Sequence, residues 1–130
     1  MDNWLTILIA AAIVAALLLA VRKLGGPSPE AARALDDLLS APGVLLIDVR
    51  SPGEFASGHI PGSHNLPGGQ IEQVKGLSSG ADHPIVVYCA SGMRSAQSLS
   101  TLRRMGYTRA INAGGVHALA ERMKVQLKGA

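Results

Sequence analysis

The chain has 130 residues, of which 48% are hydrophobic, 16% are charged and only 3% are aromatic, with a formal net charge of +3. This length is typical of one domain, and the composition excludes a multidomain enzyme, a disordered chain and a collagen-like chain. The single cysteine, Cys89, excludes a disulfide framework and a metal cluster held by several cysteines.

An apolar run without charged side chains covers residues 4–21. As a helix it spans about 27 Å, close to the thickness of a bilayer core of about 30 Å. Arg22 and Lys23 follow it and suit a membrane interface. We predict a transmembrane helix over residues 4–21, a linker over residues 22–29 and a domain over residues 30–127.

Two alternatives to a membrane anchor apply to this run. A secretory signal peptide needs basic residues before the apolar stretch, but residues 1–3 contain an acid and no Lys or Arg. A buried core helix is disfavoured because the run has no polar face. We expect a single-pass anchor in the cell inner membrane. Because Arg22 and Lys23 favour the cytoplasmic side, the following domain is expected to face the cytoplasm.

Strands and helices are predicted to alternate after the linker. Ser28, Pro29 and Glu30 are typical of a helix start, with a cap, a proline and an acid in order. Continuous apolar runs over residues 44–49 and 85–88 predict strands buried on both faces. Shorter strands are predicted over residues 64–66 and 109–112, helices over 95–105 and 116–127, and a turn at 114–115. This alternation predicts an α/β fold with a parallel β-sheet flanked by helices on both faces.

Cys89 directly follows the predicted strand 85–88, where ligands bind in open α/β sheets. Gly92 allows the following loop to curl, so that backbone N–H groups converge on the sulfur. The next helix, expected to begin near Ser95, adds a partial positive charge, and Arg94 adds a full one. These features favour the reactive thiolate over the thiol. The alternative is a small buried cysteine with a structural role.

Three motifs in this order resemble those of the rhodanese (sulfurtransferase) family. They are Asp-Val-Arg with Gly-His-Ile-Pro-Gly-Ser at residues 48–50 and 58–63, the cysteine loop at 85–95, and Asn-Ala-Gly-Gly at 112–115. The resemblance covers residues 28–125 and implies a rhodanese-like domain. It also implies that the cysteine takes a sulfane sulfur from a donor such as thiosulfate, becomes a persulfide, and passes the sulfur to cyanide or a thiol.

The resemblance implies that Cys89 is the catalytic nucleophile. It implies that the six following residues bind substrate, namely Ala90, Ser91, Gly92, Met93, Arg94 and Ser95. Phosphatases of the same fold have five residues between cysteine and arginine, whereas this loop has four, so a phosphate substrate is disfavoured. Because some relatives have a basic residue at the position of Ala90, weak affinity for dianionic thiosulfate is expected.

Asp48 and Arg50 are expected either to support this loop or to form a structural charge network with Glu54. His59 is expected to hydrogen-bond to the backbone and fix a turn. Neither a cofactor nor a metal is expected, because the histidines lack metal-ligand spacing.

Dispersed basic residues and few aromatics argue against nucleic-acid binding. The alternative function is a non-catalytic, membrane-tethered rhodanese-like binding module in which Cys89 has no role. The sequence leaves open the physiological donor and acceptor, the partner proteins, the oligomeric state and any cleavage of the N-terminal segment.

Overall fold

The computed structural model describes residues 3–24 and 27–129, and the chain divides into two compact units, residues 1–32 and 33–130. Helix α1 (Asn3–Leu24) lies in the first unit. Over residues 3–22 it is long and apolar enough to cross a membrane, and none of this stretch is buried. A signal sequence meets the same criterion.

The second unit contains one sheet of four parallel strands in the spatial order β2-β1-β3-β4. The strands are β1 (Leu45–Asp48), β2 (His64–Asn65), β3 (Ile85–Cys89) and β4 (Ala110–Gly115). Every residue of β3 is buried, as expected for a continuous apolar run at the centre of a parallel sheet. The predicted α/β fold with a parallel sheet is confirmed.

Helical segments cover both faces of the sheet and enclose two hydrophobic clusters. On one face, Ile85 and Val87 pack with Leu102 of helix α4 (Met93–Arg104) and with the 3₁₀ segment Gly68–Gly76. On the other face, the alternate residues of β3 pack with helices α2 (Pro29–Leu39) and α5 (Val116–Met123). A short helix, α3 (Pro52–Ser57), follows β1. Because strand side chains alternate, β3 places Cys89 on the face that α4 covers.

The start of α2 agrees with the sequence prediction. The Ser28 hydroxyl accepts a hydrogen bond from the Ala31 N–H at 3.1 Å, and Pro29 is the first helical residue. This bond satisfies one of the N–H groups that a helix start leaves without a partner inside the helix.

Two predicted boundaries near Cys89 were wrong. Helix α4 begins at Met93 rather than near Ser95, because Gly92 adopts the left-handed conformation (φ 98°) and turns the chain into the helix earlier. Residues 114–115 were predicted as a turn, but β4 continues through them and pairs Gly115 with Cys89. The pairing brings the third motif beside the cysteine.

The end of α5 was also predicted wrongly. The apolar spacing predicted a helix to residue 127, but α5 ends at Met123 and Lys124 adopts a left-handed conformation (φ 55°). Lys128 then forms two backbone hydrogen bonds with His59, which hold the following segment extended. Leu127 still packs against the core although it lies beyond the helix. Its apolar side chain therefore continued the helical spacing and led to the wrong prediction.

Candidate active site

Cys89 is the last residue of β3, and its side chain is 0% exposed. It belongs to the hydrophobic cluster that contains Val87 and Leu102. Three residues, 90–92, connect it to α4, and the first two are exposed. The sulfur therefore lies beneath a short surface loop at the carboxyl end of the sheet.

Two hydrogen-bond donors contact the sulfur. The N–H of Gly92 donates to Cys89 Sγ at 2.9 Å, and the Ser95 hydroxyl donates to the same atom at 3.3 Å. Gly92 caps α4 and Ser95 lies in its first turn, so Ser95 is not the helix cap. The sulfur thus lies at the positive end of the α4 dipole, where negative charge is stabilised.

These contacts change the pKa of Cys89. Burial raises the pKa of the thiol, because a charged sulfur loses its hydration. The Ser95 hydroxyl and the backbone N–H groups of Ser95, Ser91 and Gly92 favour the charged sulfur, and together they outweigh burial. Together they lower the pKa of Cys89 to about 7. A substantial fraction of the Cys89 side chains is therefore ionised at neutral pH.

Asn112 on β4 connects the parts of the site. Its Oδ1 accepts hydrogen bonds from the Ser95 hydroxyl at 2.7 Å and from the Gly114 N–H at 2.8 Å. Its Nδ2 donates to the Gly92 carbonyl at 3.0 Å. Because the Ser95 hydroxyl has one proton, it donates either to Asn112 or to Cys89. Asn112 thereby positions both the loop and the donor that faces the sulfur.

Asn112 lies in the third motif but is not among the site residues that the sequence predicts. The signal that could have identified it is the parallel pairing of β4 with β3. This pairing places residues at the carboxyl end of one strand beside those at the carboxyl end of the other.

Two backbone close approaches hold the cysteine loop against β4. A Cβ atom at Gly115 would lie 2.7 Å from the Ala90 carbonyl oxygen, and one at Gly92 would lie 3.2 Å from the Gly114 Cα. A side chain at Gly115 would therefore displace the loop. These approaches explain why both segments need glycine here.

Arg94 forms a bidentate ion pair with Glu54 instead of pointing an unpaired charge at the sulfur. Its Nη1 and Nη2 donate to Oε1 and Oε2 at 2.7 and 2.9 Å, and both side chains are partly exposed. The Arg94 hydrogen bonds, followed by the one from the Ser51 backbone, lower the pKa of Glu54 to about 2. The predicted network of Glu54 with Asp48 and Arg50 is therefore confirmed only in part: Glu54 interacts electrostatically with Arg50, but its direct ion pair is with Arg94.

Asp48 and Arg50 form a separate, buried ion pair. Arg50 Nη2 donates to Asp48 Oδ2 at 2.7 Å and to the Gly58 carbonyl at 2.6 Å. The Asn65 amide donates to the backbone carbonyls of both Asp48 and Arg50. Among the described residues, this network makes no hydrogen bond to residues 89–95. It therefore fits a structural role in holding the chain after β1.

The remaining predicted residues lie apart from the sulfur. Met93 is 79% exposed, and nothing in the structure gives it a contact with Cys89. His59 Nδ1 lies 2.8 Å from the Phe55 carbonyl, as predicted for a residue that fixes a turn. Within residues 3–24 and 27–129, no cluster of three or more His, Cys, Asp or Glu side chains could hold a metal ion.

Comparison with known proteins matches the rhodanese-like domain to residues 31–122. The chain belongs to the rhodanese family. It is 43% identical over 70 residues to YqhL of Bacillus subtilis, covering 54% of this chain and 55% of that protein. It is 41% identical over 78 residues to a sulfurtransferase of Allochromatium vinosum, covering 59% of this chain and 72% of the relative.

A solved structure described as a rhodanese with anions from E. coli superposes on this rhodanese with a TM-score of 0.61 and 30% identity. The match covers 67% of this chain and 99% of the solved one. The chain spans only about half of the length of the Bacillus relative. The family membership and the fold implied by the three motifs are confirmed.

Proposed function

We propose that this rhodanese is a sulfurtransferase that carries a sulfane sulfur as a persulfide on Cys89. The observation that carries the proposal is the pair of hydrogen bonds that Gly92 and Ser95 direct at Sγ. Such donors stabilise a thiolate, which is the nucleophilic form of cysteine. A relative named as a sulfurtransferase and a structural neighbour described with anions support the same assignment.

Sulfur transfer from thiosulfate needs no general acid in this scheme. The Cys89 thiolate attacks the outer sulfur of thiosulfate, a new S–S bond forms, and the S–S bond of the donor breaks. Sulfite leaves with the electron pair, and Cys89 becomes a persulfide anion. A thiolate or cyanide then attacks the terminal sulfur, takes it as a persulfide or thiocyanate, and releases the Cys89 thiolate.

The residues around the sulfur have distinct proposed roles. Ser91, Gly92 and Ser95 supply hydrogen-bond donors to the anionic sulfur, which backbone N–H groups can hold in a small concavity. The Arg94 guanidinium is paired with Glu54. An anionic sulfur donor competes with Glu54 for this guanidinium and is thereby attracted to the site. Since Cys89 is 0% exposed, we propose that residues 90–92 move aside when the donor reaches the sulfur.

The test compares the full chain with Cys89→Ser in detergent, using thiosulfate as donor. We expect the unmodified chain to gain the mass of one sulfur atom on Cys89 and to form thiocyanate when cyanide is added. Cys89→Ser should lose both signals while keeping its thermal unfolding midpoint. Absence of a sulfur adduct with thiosulfate and with other sulfane donors would contradict the proposal.

Complete burial of Cys89 favours one alternative, a non-catalytic rhodanese-like module that binds a partner at the membrane. The same substitution distinguishes the two functions in cells. If Cys89→Ser leaves the cellular role intact, the binding module is correct. If the role is lost while the protein stays folded and membrane-bound, the sulfurtransferase is correct.

We also propose that α1 anchors the protein in the inner membrane, with the rhodanese domain in the cytoplasm. The length and composition of α1 support a membrane span, and Arg22 with Lys23 favours the cytoplasmic side for the domain. A reporter at the C-terminus that is active only in the cytoplasm should give a signal. Activity of a periplasm-specific reporter at the same position would reverse the orientation.

A further inference from the structure

The Ser95 hydroxyl lies between two hydrogen-bond acceptors that compete for its single proton. Its Oγ is 2.7 Å from Asn112 Oδ1 on β4 and 3.3 Å from Cys89 Sγ on β3. Because Ser95 is 0% exposed, water does not reach the hydroxyl and cannot replace either acceptor. The proton therefore serves one of these two atoms at a time.

The amide of Asn112 is fixed with its oxygen toward Ser95. Asn112 Oδ1 accepts from the Gly114 N–H at 2.8 Å, and Nδ2 donates to the Gly92 carbonyl at 3.0 Å. A reversed amide would place Nδ2 against the N–H and Oδ1 against the carbonyl, and both contacts would be repulsive. Asn112 is therefore able to accept a hydrogen bond from Ser95 but not to donate one.

The charge of the sulfur decides which acceptor receives the proton. A neutral thiol accepts hydrogen bonds weakly, so Ser95 donates to Asn112 at the shorter distance. An anionic sulfur forms a charge-assisted hydrogen bond, which is about twice as strong as one between neutral groups. The hydroxyl then turns toward Cys89, while Asn112 keeps the bond from Gly114. We infer that Asn112 competes with Cys89 for the Ser95 proton, holding it while the sulfur is neutral and releasing it when the sulfur is anionic.

Under the proposed function, on which this step rests, the Ser95 proton changes acceptor twice in each catalytic cycle. In the persulfide the negative charge lies on the terminal sulfur and Sγ is neutral, so Ser95 donates to Asn112. When a thiolate or cyanide takes the terminal sulfur, the S–S bond breaks and its electron pair returns to Sγ. Ser95 then donates to Cys89 again, and the O–H bond stays intact throughout. Asn112 is thus a positioning residue that favours the persulfide over the thiolate.

The charged groups around the sulfur are common to all the variants compared below. Arg94 interacts electrostatically with Cys89 and is paired with Glu54, whereas β4 carries no ionisable side chain. The test substitutions retain these groups, so their effect on the sulfur cancels between variants. The other charged side chains on the elements around this face are Asp48 on β1, Glu72 and Lys75 in the 3₁₀ segment, and Arg103 and Arg104 on α4.

Iodoacetamide alkylation of the full chain in detergent tests the competition without sulfur chemistry. Asn112→Leu removes the competing oxygen, so Ser95 should donate to Cys89 alone. Asn112→Asp keeps oxygen toward Ser95 and binds the proton more strongly, because this acceptor is charged. Both substitutions lose the bond to Gly92, so each is the matched control for the other. The alkylation midpoint of each variant is measured with Ser95 and with Ser95→Ala.

The effect of Ser95→Ala on the ionisation constant of Cys89 should differ between the three backgrounds. We expect a decrease of about tenfold with Asn112, about thirtyfold in Asn112→Leu and less than about threefold in Asn112→Asp. A smaller effect in Asn112→Leu than with Asn112 would mean that Asn112 only supports the hydroxyl, and would overturn the inference. Equal effects in all backgrounds would also overturn it. If Asn112→Leu does not unfold cooperatively, a tenfold effect in Asn112→Asp is the contrary result.

Equilibrium labelling by thiosulfate tests the place of the competition in the reaction. At fixed thiosulfate and sulfite, and well above the alkylation midpoint, the ratio of persulfide to thiolate is measured by mass. Asn112→Leu should lower this ratio about threefold in the chain with Ser95 and leave it unchanged in Ser95→Ala. An unchanged ratio in both would contradict the two changes of acceptor. If Cys89 accepts no sulfur, the proposed function fails, whereas alkylation still decides whether Asn112 competes for the proton.

Discussion

Cys89 ionises near neutral pH because donors from α4 outweigh the cost of burying a charged sulfur. The Ser95 hydroxyl is the largest of these favourable contributions. We predict that alkylation of the unmodified chain by iodoacetamide rises with pH around a midpoint of about 7. Ser95→Ala should move the midpoint upward and lower the rate at neutral pH about fivefold, because one hydrogen bond to the thiolate is lost.

The control for this prediction is Ser100→Ala, on the same helix but exposed and without contact to Cys89. It should titrate as the unmodified chain does.

The same pKa determines how the free energy of unfolding changes with pH. Because the folded-state pKa is the lower one, ionisation stabilises the fold above the unfolded value of about 8.5, and this contribution is lost as the pH falls through about 7. If the alkylation midpoint is unchanged in Ser95→Ala, the Ser95 hydroxyl does not donate to the Cys89 thiolate.

Glu54 limits the charge that Arg94 presents to an anionic donor. The ion pair persists over the usual assay range, because the pKa of Glu54 is lowered to about 2. Glu54→Gln keeps an oxygen that can accept from Ser51, as the capping box of α3 requires, but removes the negative charge. We predict that KM for thiosulfate falls about threefold in Glu54→Gln, with kcat little changed.

Glu72→Gln is the matched control for Glu54→Gln, because it removes an exposed carboxylate in the 3₁₀ segment. It should leave KM for thiosulfate unchanged at a fixed ionic strength. If both variants lower KM equally, net charge rather than the Arg94 pair is responsible. Measurement of initial rates over a range of thiosulfate concentrations separates KM from kcat.

The sequence predicts the identity of the cysteine and its loop better than it predicts their partners. Cys89 and Gly92 are recognised locally, because a strand, a cysteine and a glycine follow one another. The Arg94–Glu54 pair joins residues far apart in the chain, and the contact of Ser95 with Asn112 requires β4 to lie beside β3. Such partners follow from tertiary packing, which local patterns do not contain.

At the scale of the element, the two central strands were predictable because a parallel sheet buries both of their faces. The start of α2 was also predictable from its Ser28 cap, whereas the start of α4 and the end of α5 were not. Glycine at positions 114–115 is typical of a turn, yet these residues lie in β4, where Gly114 adopts φ 83° at an irregularity of the register and Gly115 pairs with Cys89. The end of α5 is marked by the left-handed conformation of Lys124, after which Lys128 pairs with His59.

The close contact between β4 and the cysteine loop predicts that one methyl group added at Gly115 destabilises the protein. In Gly115→Ala the added Cβ would lie 2.7 Å from the Ala90 carbonyl oxygen, so one of the two backbones must shift. We predict a loss of about 1–3 kcal/mol in the free energy of unfolding. Displacement of the loop should also raise the alkylation midpoint of Cys89, because the donors move away from the sulfur.

Gly76→Ala is the control, since a Cβ atom there would meet nothing within 4 Å and the backbone is not left-handed. It should change the free energy of unfolding by less than about 0.5 kcal/mol. Denaturant unfolding gives the stability, and iodoacetamide titration gives the midpoint. A stable Gly115→Ala variant with normal alkylation would show that the loop does not need this close approach.

The rhodanese domain of the whole molecule is expected to fold without the apolar helix α1. The structure assigns α1 and the sheet to different compact units, and the members of the two hydrophobic clusters belong to the unit of residues 33–130. Deletion of residues 1–26 leaves α2 and its Ser28 cap intact. We therefore predict that the shortened chain unfolds cooperatively within a few degrees of the full chain, and that thiosulfate still labels Cys89.

The same deletion distinguishes an anchor from a signal sequence. If α1 is an anchor, the full chain should remain in the membrane fraction after a high-salt wash with its intact mass, because about 20 apolar residues hold it in the bilayer. The shortened chain should be recovered in the soluble fraction. A full chain that is recovered outside the membrane with the mass of a cleaved product would identify α1 as a signal sequence and place the domain on the other side of the membrane.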